Sequence, residues 1–269
     1  MSIHCRADIP YHGATGVQLV PTDIIDGRTE PTEWTDSGFE LRAFPSSVTD
    51  WGDADQVVER HHPEIVERVT DELGCDAVIF YPALRRGPEQ VIAGGKDHGP
   101  IEAAHSDYTE AYREMLATAD HPYLDILRPS MRAAGVTATD LAAARRIVTI
   151  QMWRNLGAAR PDRPLAFCDA RTVGRHELFP HLIEEYAGIT SRFETFLVLP
   201  PGERDARRWS TFPGMTPDEV VWFRAFDSDR VARGEPFWTP HTAFVDPTAG
   251  PDAEPRRSIE TRAICLFLD

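Results

Sequence analysis

The 269-residue chain is 42% hydrophobic and 26% charged. These are the proportions of a soluble globular protein with a core large enough for one large domain or two small ones. A formal net charge of −15 argues against nucleic acid and against anionic membrane surfaces as partners. Basic residues cluster only as pairs (Arg85-Arg86, Arg145-Arg146, Arg207-Arg208, Arg256-Arg257) and form no stripe. The four cysteines, Cys5, Cys75, Cys168 and Cys265, are widely spaced, and three sit in apolar runs, where a thiol packs as a small hydrophobe. Met-Ser-Ile-His-Cys-Arg lacks the apolar run of a signal peptide, and no window is long enough to span a bilayer. The expected setting is a reducing cytoplasm.

In chain order, residues 1–50 hold short extended pieces at 17–20 and 39–44 among turn residues, an N-terminal arm with edge strands. The stretch 53–73 is helical, with Val58, Ile65, Val69 and Leu73 on one stripe, a second start at Pro63 and a stop at Gly74. A buried strand follows at 75–80. Residues 84–100 are rich in Gly and Pro and read as a loop, expected to act as a lid. A strand at 101–107 ends in Ala-His105-Ser-Asp107, and helices at 109–119, 124–134 and 139–145 form an insertion over 108–145.

From Arg146 onward, strands come at short spacing: 146–155, 165–168, 189–199, 209–211, 219–226, 241–245 and 258–268, with 177–186 read as a helix. That pattern predicts a mainly β protein with flanking helices, a sandwich or barrel, in a single domain over 1–269. No glycine-rich phosphate loop follows a strand, which argues against a nucleotide fold.

The last strand carries the first hint of chemistry. Ile259, Thr261, Ala263, Cys265 and Phe267 alternate with Arg256, Ser258, Glu260 and Arg262, and then with Ile264 and Leu266. A polar half followed by an apolar half on one face suits a strand that lines the mouth of a barrel and plugs its floor. Upstream, a histidine and a carboxylate two apart on a strand share a face. With a second histidine from across a barrel they make a two-His-one-carboxylate set for Fe(II). His105 and Asp107 supply the pair and His241 the third ligand. The pair alone is weak, because at this Asp and Glu frequency ten histidines yield about one or two such spacings by chance. The rival, His62-Pro-Glu64, begins a helix, where positions two apart do not share a face. Arg256-x-Ser258, fifteen residues after His241, matches what a dicarboxylate needs: a guanidinium fork and a hydroxyl. Arg154 is a further candidate for a cosubstrate or substrate carboxylate, with an ion pair to Asp169 as its alternative. Trp153 and Trp222 read as core aromatics, and Arg85 and Arg86 as solvated or closing over the site.

Ordered blocks from Val57 to Phe267 then carry a resemblance. They are His-Pro-Glu-Ile-Val with Gly74-Cys-Asp-Ala-Val; Ala-His105-Ser-Asp107-Tyr-Thr; Gln-Met-Trp153-Arg154-Asn; Arg-Pro-Leu-Ala-Phe-Cys-Asp169; Arg208-Trp209; Met-Thr-Pro-Asp-Glu219-Val-Val-Trp-Phe-Arg-Ala-Phe-Asp227; Pro-His241-Thr-Ala-Phe; and Arg256-Arg-Ser258-Ile-Glu260-Thr-Arg262. The chain resembles the hydroxylase/desaturase family that includes the cephalosporin 7α-methoxylation (CmcJ-like) protein and fungal desaturases of the AsaB type. The resemblance implies a double-stranded β-helix (jelly roll) and an Fe(II)/2-oxoglutarate-dependent dioxygenase. It places the metal on His105, Asp107 and His241, and 2-oxoglutarate on the strand of Arg256, Ser258 and Arg262. Ser106 between the ligands, and Ser-Thr-Phe after Trp209, depart from the expected pattern and bear on the substrate pocket. The implied partners are a small-molecule substrate and O2, without nucleic acid or membrane, and a homodimer is allowed. Hydroxylation and desaturation stay unseparated. An iron oxidase drawing electrons from its substrate alone, and a non-catalytic ligand-binding jelly roll, stand as alternatives.

Overall fold

The last strand, Ser258–Phe267, is buried along its whole length, and the rest of the chain is arranged on its two faces. The computed structural model describes residues 2–13, 15–88, 99–186, 189–202 and 206–268. Among the described residues, thirteen strands run in chain order. The first six are β1 (Ile3–Gly13), β2 (Gly16–Asp26), β3 (Phe39–Ala43), β4 (Ala77–Arg86), β5 (His105–Ser106) and β6 (Arg146–Asn155). Then come β7 (Leu165–Cys168), β8 (Leu178–Tyr186), β9 (Ile189–Val198), β10 (Trp209–Thr211), β11 (Glu219–Asp227), β12 (His241–Ala243) and β13 (Ser258–Phe267).

They form two sheets. One is eight-stranded, in the order β1-β2-β10-β7-β12-β5-β9-β8, and the other five-stranded, in the order β3-β11-β6-β13-β4. Apart from the hairpin pairs β1-β2 and β8-β9 at the edges, neighbours are non-consecutive, so the chain crosses repeatedly between the sheets, as a jelly roll does.

The alternation of β13 decides what each face meets. Ala263, Cys265 and Phe267 pack with Val148, Ile150, Val220 and Trp222 against Ile65 and Val69 of the helix His62–Leu73. Ile264 and Leu266 face inward and join Ile79, Ile147, Phe196 and Val198 between the sheets. The covering helix ends where Gly74 takes φ 67°, a left-handed cap that a side chain would strain. Between β5 and β6 lie helices Tyr112–Ala117, Pro122–Ala134 and Ala138–Ala143. The middle one buries Tyr123, Leu124, Leu127 and Met131 in the inter-sheet core. Thr137 and Asp140 close a reciprocal capping box at the start of the third. All four cysteines are buried.

Four expectations change. Residues 178–186 form an edge strand paired to β9, not a helix. Pro180 lacks the donor a helix interior needs and is tolerated on an edge. Of 101–107, only His105 and Ser106 pair as a strand. Arg85 and Arg86 belong to β4, so the predicted loop starts later, and residues 89–98 of the expected lid lie outside the described residues. A short helix, Ser228–Arg233, follows β11 between an Asp227 cap and Gly234 at φ 66°.

Candidate active site

β5 and β12 lie side by side near the middle of the eight-stranded sheet, and their register sets His105 directly opposite His241. The imidazole centroids are 4.4 Å apart. Asp107 follows β5, and one ligand atom each from His105, Asp107 and His241 lies within 4.8 Å of the others. The same local device fixes both rings. Nδ1 of His105 donates to the carbonyl of Ala103 at 2.7 Å, and Nδ1 of His241 to that of Thr239 at 3.0 Å. A carbonyl only accepts, so each Nδ1 carries the proton and each Nε2 keeps its lone pair for a metal. Burial, reinforced by the neighbouring His241, pushes the His105 pKa down to about 4, which keeps it neutral and ligand-competent at neutral pH.

Asp107 is divided in use. Its Oδ1 accepts from Arg262 Nη2 at 3.2 Å, while Oδ2 is buried without a hydrogen-bond partner. A buried carboxylate oxygen left bare is costly unless a cation completes it. Two imidazole nitrogens and one open carboxylate oxygen therefore fit a divalent ion with nitrogen and oxygen preference, such as Fe(II). Phe223 and Phe167 lie 4.9 and 6.0 Å from the His241 ring and shield that side from water.

Across the cavity stands the inner face of the five-stranded sheet. A pocket joins both histidines to Arg86, Ile101, Trp153, Leu165, Arg256, Glu260 and Arg262. Arg262 Nε donates to Gln151 Oε1 at 2.6 Å, and Gln151 Nε2 donates to Glu260 at 2.9 Å. Arg86 donates to Glu260 at 2.9 Å and to Tyr186. Burial would push the Glu260 carboxyl up, but the charges of Arg86 and Arg262 hold it down at about 2. Glu260 thus neutralises Arg86, while Arg262 remains available to Asp107.

Arg256 differs. Its Nη1 donates to the Arg163 carbonyl at 3.1 Å, but Nε has no partner and neither has the hydroxyl of Ser258 two residues on. Burial, followed by repulsion from Arg86, depresses the Arg256 pKa. An incoming carboxylate would satisfy both bare groups and offset that penalty.

The family described as an oxidoreductase/YMDC permease-like domain matches residues 12–266. The chain belongs to that family. It is 29% identical over 254 residues to the hydroxylase/desaturase CTB9 of Cercospora beticola, covering 86% of this chain and 71% of that protein. To the alpha-ketoglutarate-dependent dioxygenase phiK of a fungal species it is 24% identical over 272 residues, covering 95% and 87%. The solved structure of the iron and alpha-ketoglutarate-dependent endoperoxidase NvfI superposes with a TM-score of 0.71 over 98% of both chains, at 21% identity. The hydroxylase/desaturase kinship and the jelly roll read from the residue blocks are both borne out. Among the described residues no helix is long and apolar enough to cross a membrane.

The residues singled out from sequence fall into three groups. His105, Asp107 and His241 come together, and Ser258 and Arg262 lie on the facing strand, with Arg256 two residues before its start. Arg154 does not join them. It points to the other face of β6, donating to the Phe44 carbonyl at 2.8 Å and to that of Pro217. Its suggested partner Asp169 is taken by Arg171 at 2.6 Å. His62 stacks on Phe80 with centroids 3.8 Å apart, and Glu64 accepts from Ser46, Ser47 and His61, far from any ligand role. Trp222 and Trp153 are core aromatics as expected, and Trp153 also lines the pocket. Arg262 lies 3.8 Å from Glu260, a loose pair, because Arg86 holds that carboxylate more closely. Gln151, Arg86 and Glu260 were missed as site residues. The available signal was polar residues at every second position inside otherwise apolar strands.

Proposed function

We propose that the chain is an Fe(II)- and 2-oxoglutarate-dependent oxygenase that hydroxylates or desaturates a small metabolite with O2. The observation that carries this reading is the convergence of His105, His241 and the bare Oδ2 of Asp107, facing a wall on which Arg256 Nε and the Ser258 hydroxyl are also bare. The named functions of the relatives agree with it.

When bound, the iron and its 2-oxo acid supply oxidation of an unactivated C–H bond, coupled to loss of CO2 and formation of succinate. The chain's own residues have defined tasks. His105 and His241 would offer Nε2 to the metal, because their Nδ1 atoms are tied to backbone carbonyls. Arg262 fixes Asp107 in one orientation and leaves it a single oxygen for the metal. Arg256 and Ser258 grip the far carboxylate of 2-oxoglutarate, which sets the reach of the molecule toward the triad. The aromatic rings beside His241 exclude water.

The test is anaerobic addition of Fe(II) and 2-oxoglutarate to the metal-free protein. A visible charge-transfer band, dependent on both, is the expected result. Iron binding without the band would favour an oxidase that takes all its electrons from the substrate. No iron binding would favour a ligand-binding jelly roll.

A further inference from the structure

A second group of metal-binding side chains lies outside the cavity, where the first strand meets the segment behind β12. His4, Cys5 and Asp246 each offer a ligand atom, and these atoms lie within 4.8 Å of one another. Neighbours on a regular strand point to opposite faces, so His4 and Cys5 should not converge. They do so because the strand is bulged. Ile3 pairs with Ile25 and Cys5 with Ile24, leaving His4 as an extra residue at which the alternation breaks. Ile3 is left 45% exposed, while Cys5 is buried beside Asp246.

The carboxylate of Asp246 is oriented. Its Oδ1 accepts from the backbone N–H and the hydroxyl of Thr248 at 2.8 and 2.7 Å, and its Oδ2 lies 2.8 Å from His4 Nε2. Thr248 thus holds one oxygen from behind, and the contact between the other oxygen and His4 Nε2 gathers two ligand atoms that a cation would bridge in its place. His4 and Asp246 also border a cavity with Pro161, Phe212 and Met215, which gives an ion a way in.

We propose that His4, Cys5 and Asp246 form a second metal site, for a thiophilic divalent cation of the zinc class, that ties the first strand to the segment following β12. One imidazole nitrogen, one thiolate and one carboxylate oxygen make a borderline-soft set, and water completes four-coordination. Magnesium and calcium, which take oxygen ligands, do not suit it. The site does not depend on the function proposed above, since the triad holds no sulfur and shares none of these residues.

Cobalt(II) is the probe, titrated into the tag-free, metal-stripped full-length chain. Two equivalents should bind, one of them with a near-ultraviolet thiolate-to-cobalt band. Cys5→Ser should retain one equivalent and lose the band, and zinc should raise the melting temperature of the wild type but not of His4→Ala. Should Cys5→Ser fail to fold by circular dichroism, His4→Ala and Asp246→Asn must each weaken the band-bearing equivalent at least about tenfold. A wild-type titration without a thiolate band overturns the site. So does a band that survives Cys5→Ser, or one that neither His4→Ala nor Asp246→Asn weakens.

Discussion

The two walls of the cavity are built by different means. The candidate metal ligands sit on or beside strands of two and three residues, β5 and β12, which have little ladder of their own. There each imidazole is aimed by a hydrogen bond to the carbonyl two residues before it. The facing wall is β13, ten residues long and buried throughout, paired on both sides by β6 and β4. Its side chains are set by register and tied by hydrogen bonds to side chains of the neighbouring strands, Gln151 of β6 and Arg86 of β4. Short strands with locally locked rings hold a small ion, whereas a long strand fixes the distance at which a larger molecule is gripped. The two walls meet at one contact, Arg262 to Asp107.

That contrast yields graded expectations. The largest effect belongs to the metal wall. His105→Ala or His241→Ala should weaken iron binding by at least about 100-fold in a metal titration, because two ligands do not hold a labile divalent ion. Normal iron binding by either variant would sink the triad.

Next comes the contact between the walls. Arg262→Gln strands Asp107 and removes one of the two charges beside Glu260, and breaking a buried pair costs roughly 3–5 kcal/mol. A lowered denaturation midpoint together with reduced iron affinity is expected. If that variant instead folds and binds iron normally but loses 2-oxoglutarate, the roles of the two arginines are exchanged.

On the long wall, Arg256→Gln should cost roughly 2–5 kcal/mol of 2-oxoglutarate binding, a factor of about 30 or more, with iron affinity unchanged. Ser258→Ala should cost only about 0.5–1.5 kcal/mol by the same anaerobic titration.

A region outside both walls supplies a reference for pH. His61 packs between Phe44 and Trp51, and burial lowers its pKa to about 4, against an ordinary 6.5. Between those values the unfolded chain binds more protons than the folded one. Stability is thus complete above about pH 6.5 and falls as pH drops toward 4, by up to about 3 kcal/mol for this group. His61→Phe should flatten that part of the stability-pH curve, and an unchanged slope would refute the assignment.

The smallest effect is expected for Arg154→Gln, which should leave 2-oxoglutarate affinity unchanged within about twofold, as the side chain serves backbone carbonyls on the other face of β6.

Period-two alternation made β6, β7, β11 and β13 legible in the amino-acid order, because strands buried on both faces leave an unbroken apolar or alternating record. The spacing His105-x-Asp107, the distal His241 and the Arg256-x-Ser258 pair were also legible, since each is a local pattern read along one strand. Residues 178–186 misled, because an exposed edge strand records no burial and its Glu184-Glu185-Tyr186 end suits a helix equally well. Only tertiary structure decided the assignments that depend on two distant segments. Arg262 belongs to Asp107 rather than Glu260 because Arg86, from β4, already holds that carboxylate. Arg154 leaves the pocket because its neighbour Trp153 occupies the inner face of β6. His4 and Cys5 converge on Asp246 only because a bulge against β2 breaks their alternation. A residue's face is written in its own strand, but its partner is set by which other strands are packed opposite, and no local pattern carries that information.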